Sequence, residues 1–104
     1  MLDKTAIKND LKRYAKLCAT ITYSNLSPLH YRELAFFEIL GQISREEHAA
    51  GRGMLTVLVV LAETERPANG FFELAEELYD IEIDDREAFY QQEKNKVCNA
   101  WKNK

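Results

Sequence analysis

The chain has 104 residues, 46% of them hydrophobic, and a formal net charge of -3, enough apolar material for one core and too little length for two. No apolar run approaches the roughly 20 residues that a bilayer requires, and no basic, apolar leader opens the chain, so the expectation is a single domain over 1–104, no membrane association, and the cytoplasm. Cys18 and Cys98 stand alone, without Cys-x-x-Cys or Cys/His ligand spacing, and are expected as two core thiols in preference to a disulfide or a metal site.

In chain order, Asp3 is an N-cap for a first helix whose apolar positions Ile7, Leu11, Tyr14, Leu17, Cys18 and Ile21 recur at three and four. Residues 23–28 read as a linker, and Ser27 before Pro28 reads as the opening of a second helix. Its apolar residues Leu29, Leu34, Phe36, Phe37, Ile39, Leu40 and Ile43 are too many for one stripe, which places this helix at the centre of the core. Ser44 with Glu47 matches a capping box and predicts a short third helix ending at Gly51.

Residues 54–62 are almost wholly apolar, rich in β-branched side chains and bounded by turn-formers, so they predict a buried strand. Pro67 and the Asn69-Gly70 pair mark a turn, and Asn-Gly is a hairpin signal. Phe71 and Phe72 are therefore expected as a short returning strand, with a helix starting directly at Phe71 as the second choice. Ile81 to Ile83 alternate and predict an edge strand, after which Asp84 or Asp85 caps a last helix carrying Phe89, Tyr90, Val97 and Trp101. A lone buried strand must pair. The candidates are Phe71 and Phe72, the segment 81–83, or the same strand of a second chain across a two-fold axis. The fold class expected is α+β: a mostly helical single domain with one short β-hairpin or interchain sheet, in winged-helix-like order. Phe36, Phe37, Leu40, Leu55, Val57, Val59 and Phe72 are expected to be buried.

Four stretches carry the pattern Ile21-Thr22-Tyr23-Ser24-Asn25-Leu26, Ile39-Leu40-Gly41-Gln42-Ile43, residues 54–60, and Pro67-Ala68-Asn69-Gly70-Phe71-Phe72. Together they resemble a family of small, largely uncharacterised bacterial and phage proteins, whose pattern also appears as a module beside restriction-type nucleases. The most specific part is the strand followed by Pro-x-x-Gly-Phe-Phe. The resemblance implies a setting of nucleic acid, mobile elements or defence against them. The element order also echoes the winged-helix half of alkylguanine DNA alkyltransferases. Neither Cys18 nor Cys98 has the neighbouring Pro, His or Arg which that chemistry needs, so alkyl transfer is rejected.

No constellation points to catalysis. His48 follows Glu46 and Glu47 without the repeated spacing of a helical zinc site. His30, beside Tyr31 and Arg32, fits a partly exposed position near a helix start, and Glu63, Glu65 and Arg66 fit a solvated loop. There is no phosphate-binding glycine loop and no nucleophile elbow. The expectation is a non-enzyme with no metal and no cofactor.

Charge is segmented: residues 1–16 are basic, 63–93 hold eleven acids against Arg66 and Arg86, and four lysines close the chain. The functional expectation is a non-catalytic binding module, a regulator or inhibitor in a bacterial or phage defence or nucleic-acid context. It would dock a protein partner through its strand edge or through Glu73, Glu76, Glu77, Asp84 and Asp85. The alternative is a winged-helix-like protein that binds nucleic acid directly through Lys8, Lys12, Arg13, Arg32, Arg45 and Arg52. That alternative requires Arg45 and Arg52 to face the same way as Lys8 and Lys12, and it sets the acidic turn at Glu63 and Glu65 against phosphates.

Overall fold

The computed structural model describes residues 2–102. Helix α1 (Lys4–Leu17) starts where the sequence predicts, because the Asp3 carboxylate accepts the N–H groups of Thr5 and Ala6 that the first turn leaves unpaired. It buries Ile7, Leu11 and Ala15 and ends at Cys18, whose φ of 53° is left-handed. Strand β1 (Ile21–Thr22) runs into the one-turn helix α2 (Tyr23–Leu26), where the Thr22 hydroxyl accepts the Asn25 N–H.

Helix α3 (Leu34–Ala49) begins six residues later than the Ser27-Pro28 signal implies. Residues 27–33 form single turns closed by His30 N–H to Ser27 and Glu33 N–H to His30, so the proline opens a turn and not a helix. The expected break at Ser44 is also absent. Ser44 and Glu47 both point inward from one continuous α3, Ser44 sharing a hydrogen bond with Thr56 and Glu47 engaging Arg52. A Ser/Glu pair three apart serves equally as two inward polar groups on one helix face.

Of the expected buried strand over 54–62, residues 54–60 are buried throughout while Leu61 and Ala62 are exposed, and the segment is not one long strand. Residues Leu55–Leu58 make a turn of 3₁₀ helix, and only β2 (Val59–Val60) is extended. Helices α1, α3 and α5 (Arg86–Trp101) surround this segment. A chain buried among helices finds few ladder partners, and the 3₁₀ turn pairs its own backbone groups, Val57 N–H to Met54 at 3.0 Å. Strand β2 pairs in parallel with β1, Ile21 opposite Val59 and Thr22 opposite Val60. The hairpin expectation is thereby corrected. The partner is an upstream strand reached by a helical crossover, the connection parallel strands require, and the pairing lies within one chain, which removes that reason to expect a dimer.

The excursion 61–68 closes on itself through Leu61 N–H to Arg66 and Glu65 N–H to Leu61, at 2.9 and 2.8 Å. It leads directly into α4 (Asn69–Tyr79), not into a returning strand, so the hairpin of a winged helix is absent among the described residues. Asn69 and Gly70 occupy the first helical turn, and Phe71, Phe72 and Ala75 face the core. Residues 81–83 are likewise not a strand. Asp80, with φ 53°, ends α4, and the Ile83 N–H is taken by the Glu76 carboxylate at 2.8 Å. Asp85 caps α5 through the Ala88 N–H, one of the two choices read from sequence.

Two buried glutamates fix the connector that feeds the central segment. Glu93 accepts the Met54 N–H at 2.7 Å and the Tyr79 hydroxyl at 2.7 Å. Glu47 takes Arg52 in a two-pronged pair at 2.9 and 2.6 Å. Between them Gly53 has φ 90°, a backbone angle that strains any side chain, and a Cβ there would crowd Val97 Cγ2 at 3.1 Å.

Cys18 and Cys98 are joined in a disulfide across α1 and α5, with Cα atoms 5.2 Å apart. This corrects the reading of two separate core thiols: Cys18 lies exposed on the left-handed cap of α1, where it meets the neighbouring helix. Six of the seven expected core residues are buried, and Phe37 is 42% exposed. The fold is mostly helical α+β with a small two-stranded parallel sheet. Among the described residues no helix is long and apolar enough to cross a membrane.

Candidate functional site

The six basic residues singled out for phosphate contact are already engaged. Lys8 lies 3.2 Å from Glu46 and 3.5 Å from Glu47, Arg52 grips Glu47, and Arg13 pairs with Asp10 at 2.5 Å. Lys12 and Arg52 both sit over the Trp101 ring, and Arg32 sits over Tyr31. Lys8, Lys12 and Arg52 therefore do converge, but around Glu47 and Trp101 at the α1/α3/α5 junction. Arg45 turns away to α4 and pairs with Glu77 at 2.6 Å, so Arg45 and Arg52 do not share a face. Burial pushes the Glu47 carboxyl up, but the Arg52 hydrogen bonds and the charges of Arg52 and Lys8 outweigh it and hold the group below the usual carboxylate range.

The five acids predicted for a partner divide. Glu76 and Asp85 hold backbone N–H groups, the first closing the α4–α5 loop and the second capping α5. Glu77 bridges to Arg45. Glu73 and Asp84 are exposed and make no hydrogen bond or ion pair among the described residues. Glu73 is one turn before Glu77, on the side of α4 that looks toward α3.

Between α3 and α4 runs an apolar groove with a cavity of about 150 Å³, walled by Phe37, Leu40 and Gly41 on one side and Gly70, Phe71 and Leu74 on the other. Tyr23, Thr56 and Ala68 form its floor, where the Tyr23 hydroxyl accepts the Ala68 N–H at 3.0 Å. Burial pushes the Tyr23 hydroxyl above its ordinary value. Leu34, 72% exposed, continues the apolar strip one turn back from Phe37.

The two glycines make this hollow. A Cβ at Gly41 or at Gly70 would meet nothing within 4 Å, and neither residue has a positive φ. Neither packing nor backbone angle therefore requires glycine there, although a glycine inside a helix costs about 1 kcal/mol relative to alanine. Retaining it keeps open space between the two walls. Glu38, next to the lining residue Phe37 on α3, and Glu73, next to the lining residue Leu74 on α4, are exposed and without an ion pair among the described residues, and the Arg45–Glu77 pair spans from one helix to the other.

Two other places gather polar side chains. A hollow of about 580 Å³ at the starts of α4 and α5 is lined by Arg66, Arg86, Phe72 and Glu87. Its charges are used internally: Arg66 holds Glu87 at 2.6 and 2.8 Å, and Arg86 bonds Asn69 and covers Phe72. The Arg66 and Gln91 hydrogen bonds hold the Glu87 carboxyl down to about 2. The second place is the Tyr79 hydroxyl against Glu93, with the His48 ring edge-on to Tyr79 at 4.5 Å. Burial, then the hydrogen bond and charge of Glu93, push the Tyr79 hydroxyl up, which suits a structural donor and not a proton carrier near neutrality. Among the described residues no three His, Cys, Asp or Glu side chains gather as a metal site, and both cysteines are spent in the disulfide.

The groove was not read from the sequence. Two signals were available: a glycine in the middle of an apolar helix, and the absence of any lysine from 17–93, where fifteen acids face only five arginines. The fold and site define a small helical α+β protein with an apolar groove between two acid-bearing helices. No protein-family model, no curated protein and no solved structure matches the chain.

Proposed function

We propose that the protein is a non-catalytic binding module, a regulator or inhibitor that takes a protein partner on its acidic α3/α4 face. The observation that carries this reading is the contrast in pairing. Lys8, Arg13, Arg45 and Arg52 are neutralised by carboxylates of the same chain, whereas Glu38 and Glu73 have no ion pair among the described residues and stand beside groove-lining apolar residues. Phosphate contact through those bases would first have to break internal pairs, which costs affinity. The bacterial or phage setting comes from the sequence resemblance alone. The Cys18–Cys98 bond fits an oxidising compartment better than the reducing cytoplasm.

The test pairs two assays. Short duplex and single-stranded DNA and RNA are titrated across a salt series, and in parallel proteins bound in host extract are captured with the wild type and with Glu38→Lys/Glu73→Lys. The reading expects no nucleic-acid binding at physiological salt and a captured protein that the double variant loses. Binding that falls linearly on a log–log salt plot and disappears in Lys8→Glu/Lys12→Glu would replace it with direct nucleic-acid recognition.

A further inference from the structure

We infer that the α3/α4 groove receives a basic amphipathic helix of the partner, which seats one aromatic side chain between Gly41 and Gly70. This rests on the protein-binding reading above and names the chemistry of the partner.

Shape argues for an inserted anchor. The cavity of about 150 Å³ is partly enclosed and mostly apolar in lining, and a hollow of that size holds a benzene ring. Buried aromatic anchors in such pockets dominate many interfaces. The glycines argue that the hollow is kept open, since an alanine at 41 would be tolerated sterically and would favour the helix. Beyond the hollow, Leu34 and Phe37 lie one turn apart on the same face of α3 and remain exposed, which extends the apolar track to the length of a few helical turns.

The secondary structure of the guest follows from what the groove lacks. Strands β1 and β2 have two residues each and pair with each other, and β2 is buried, so the face provides no strand edge for an extended peptide to join. Two neighbouring helix faces with a trough between them accept a third helix by ridge-and-groove packing. Charge sets the flanks. Glu38 and Glu73 have no ion pair among the described residues, and no lysine occurs within 17–93 to offset them. Complementarity therefore calls for lysine or arginine beside the apolar stripe of the guest.

The experiment uses three synthetic helical peptides of equal length in an alanine-rich background. The first has lysine flanks and a Leu/Phe/Leu stripe at i, i+4 and i+7; the second replaces that Phe by Ala; the third replaces the lysines by glutamate. Affinity is measured by fluorescence anisotropy, and the contact surface by amide chemical shifts of the labelled protein. The first peptide is expected to bind in the micromolar range and to shift the Gly41 and Gly70 amides. The second should bind at least tenfold more weakly and the third not measurably, since removing a buried anchor typically costs more than tenfold. Gly41→Leu, which fills the hollow, should weaken the first peptide at least tenfold, with Gly41→Ala and a thermal melt as controls for folding. The inference is overturned if the first peptide fails to bind up to about 1 mM, if Gly41→Leu binds it as well as wild type, or if the shifts fall outside α3 and α4. If Glu38→Lys/Glu73→Lys loses the captured partner while Gly41→Leu retains it, the binding-module reading survives and the anchored helix does not.

Discussion

Opening the Cys18–Cys98 bond is the perturbation whose size the structure fixes best. The two residues are 80 positions apart in a chain of 104, so the bond closes most of the chain into a loop. The loop-closure relation assigns a ring of that size about 4.5 kcal/mol at 25 °C. A domain of this length has a total stability of about 5–15 kcal/mol, and each kcal/mol shifts its melting temperature by about 4–8 °C. Reduction is therefore expected to lower the midpoint by about 20–35 °C. Helices α1 and α5 also touch through side chains around Trp101, so the reduced protein should keep its helical signal at low temperature. The assay is thermal unfolding, followed by circular dichroism, of the oxidised protein, the reduced protein and Cys18→Ser/Cys98→Ala. The reduced form and the double variant should coincide, well below the oxidised form. Two titratable thiols in the natively purified protein, or a midpoint unmoved by reductant, would refute the reasoning.

Three further outcomes are expected. Phe36→Ala should destabilise by about 3–5 kcal/mol in urea titrations, because Phe36 is 0% exposed, whereas Phe37→Ala, at a residue 42% exposed, should cost much less; equal losses would mean that α3 is rotated from the orientation described. Glu93→Ala should cost about 1–3 kcal/mol or more by orphaning the Met54 N–H and the Tyr79 hydroxyl, read as a lower urea midpoint with an unchanged slope. Glu87 has a folded pKa of about 2 against an ordinary 4.5. Its ion pair with Arg66 is thus fully stabilising above the ordinary value and is lost as pH falls from 4.5 toward 2. An NMR titration of the Glu87 carboxyl should show the low value in wild type and a near-normal one in Arg66→Ala, with the difference shrinking in high salt.

What the sequence made legible was local. Asp3 and Asp85 mark helix starts because a cap is a contact between residues two or three apart. The burial of 54–60 was legible from apolarity, but its backbone form was not, since total burial suits a strand and a 3₁₀ turn alike, and the choice depends on three packed helices, of which α1 and α5 are far away in sequence. Asn69-Gly70 misled for a similar reason: the pair favours a hairpin only when strands flank it, and after Pro67 it fits the first turn of a helix equally well. Ser44 and Glu47 matched a capping pattern whose spacing is also that of one helix face. Cys18 and Cys98 meet only because α1 and α5 pack, which no local pattern records.

The candidate site was half legible. Glu73 and Glu77 were identified from the charge run, and they lie on α4, the helix that supplies one wall of the groove, while Glu76 and Asp85 from the same run are occupied with backbone N–H groups. Gly41 passed as an ordinary helix residue because its meaning is the empty space opposite Gly70, a property of how α3 and α4 pack. The basic residues were read by sign alone: the Arg13–Asp10 pair is local, three residues apart on α1, but the pairing of Lys8 with Glu46 and Glu47 and of Arg45 with Glu77 is a tertiary fact.

The most direct test of the binding-module account is site-specific photocrosslinking in the host, with a photoreactive phenylalanine analogue placed at Glu38 on α3 and, separately, at Lys16 on α1. The account predicts a discrete protein adduct from position 38 and none from position 16. Adducts to nucleic acid, or a protein adduct from position 16 alone, would contradict it.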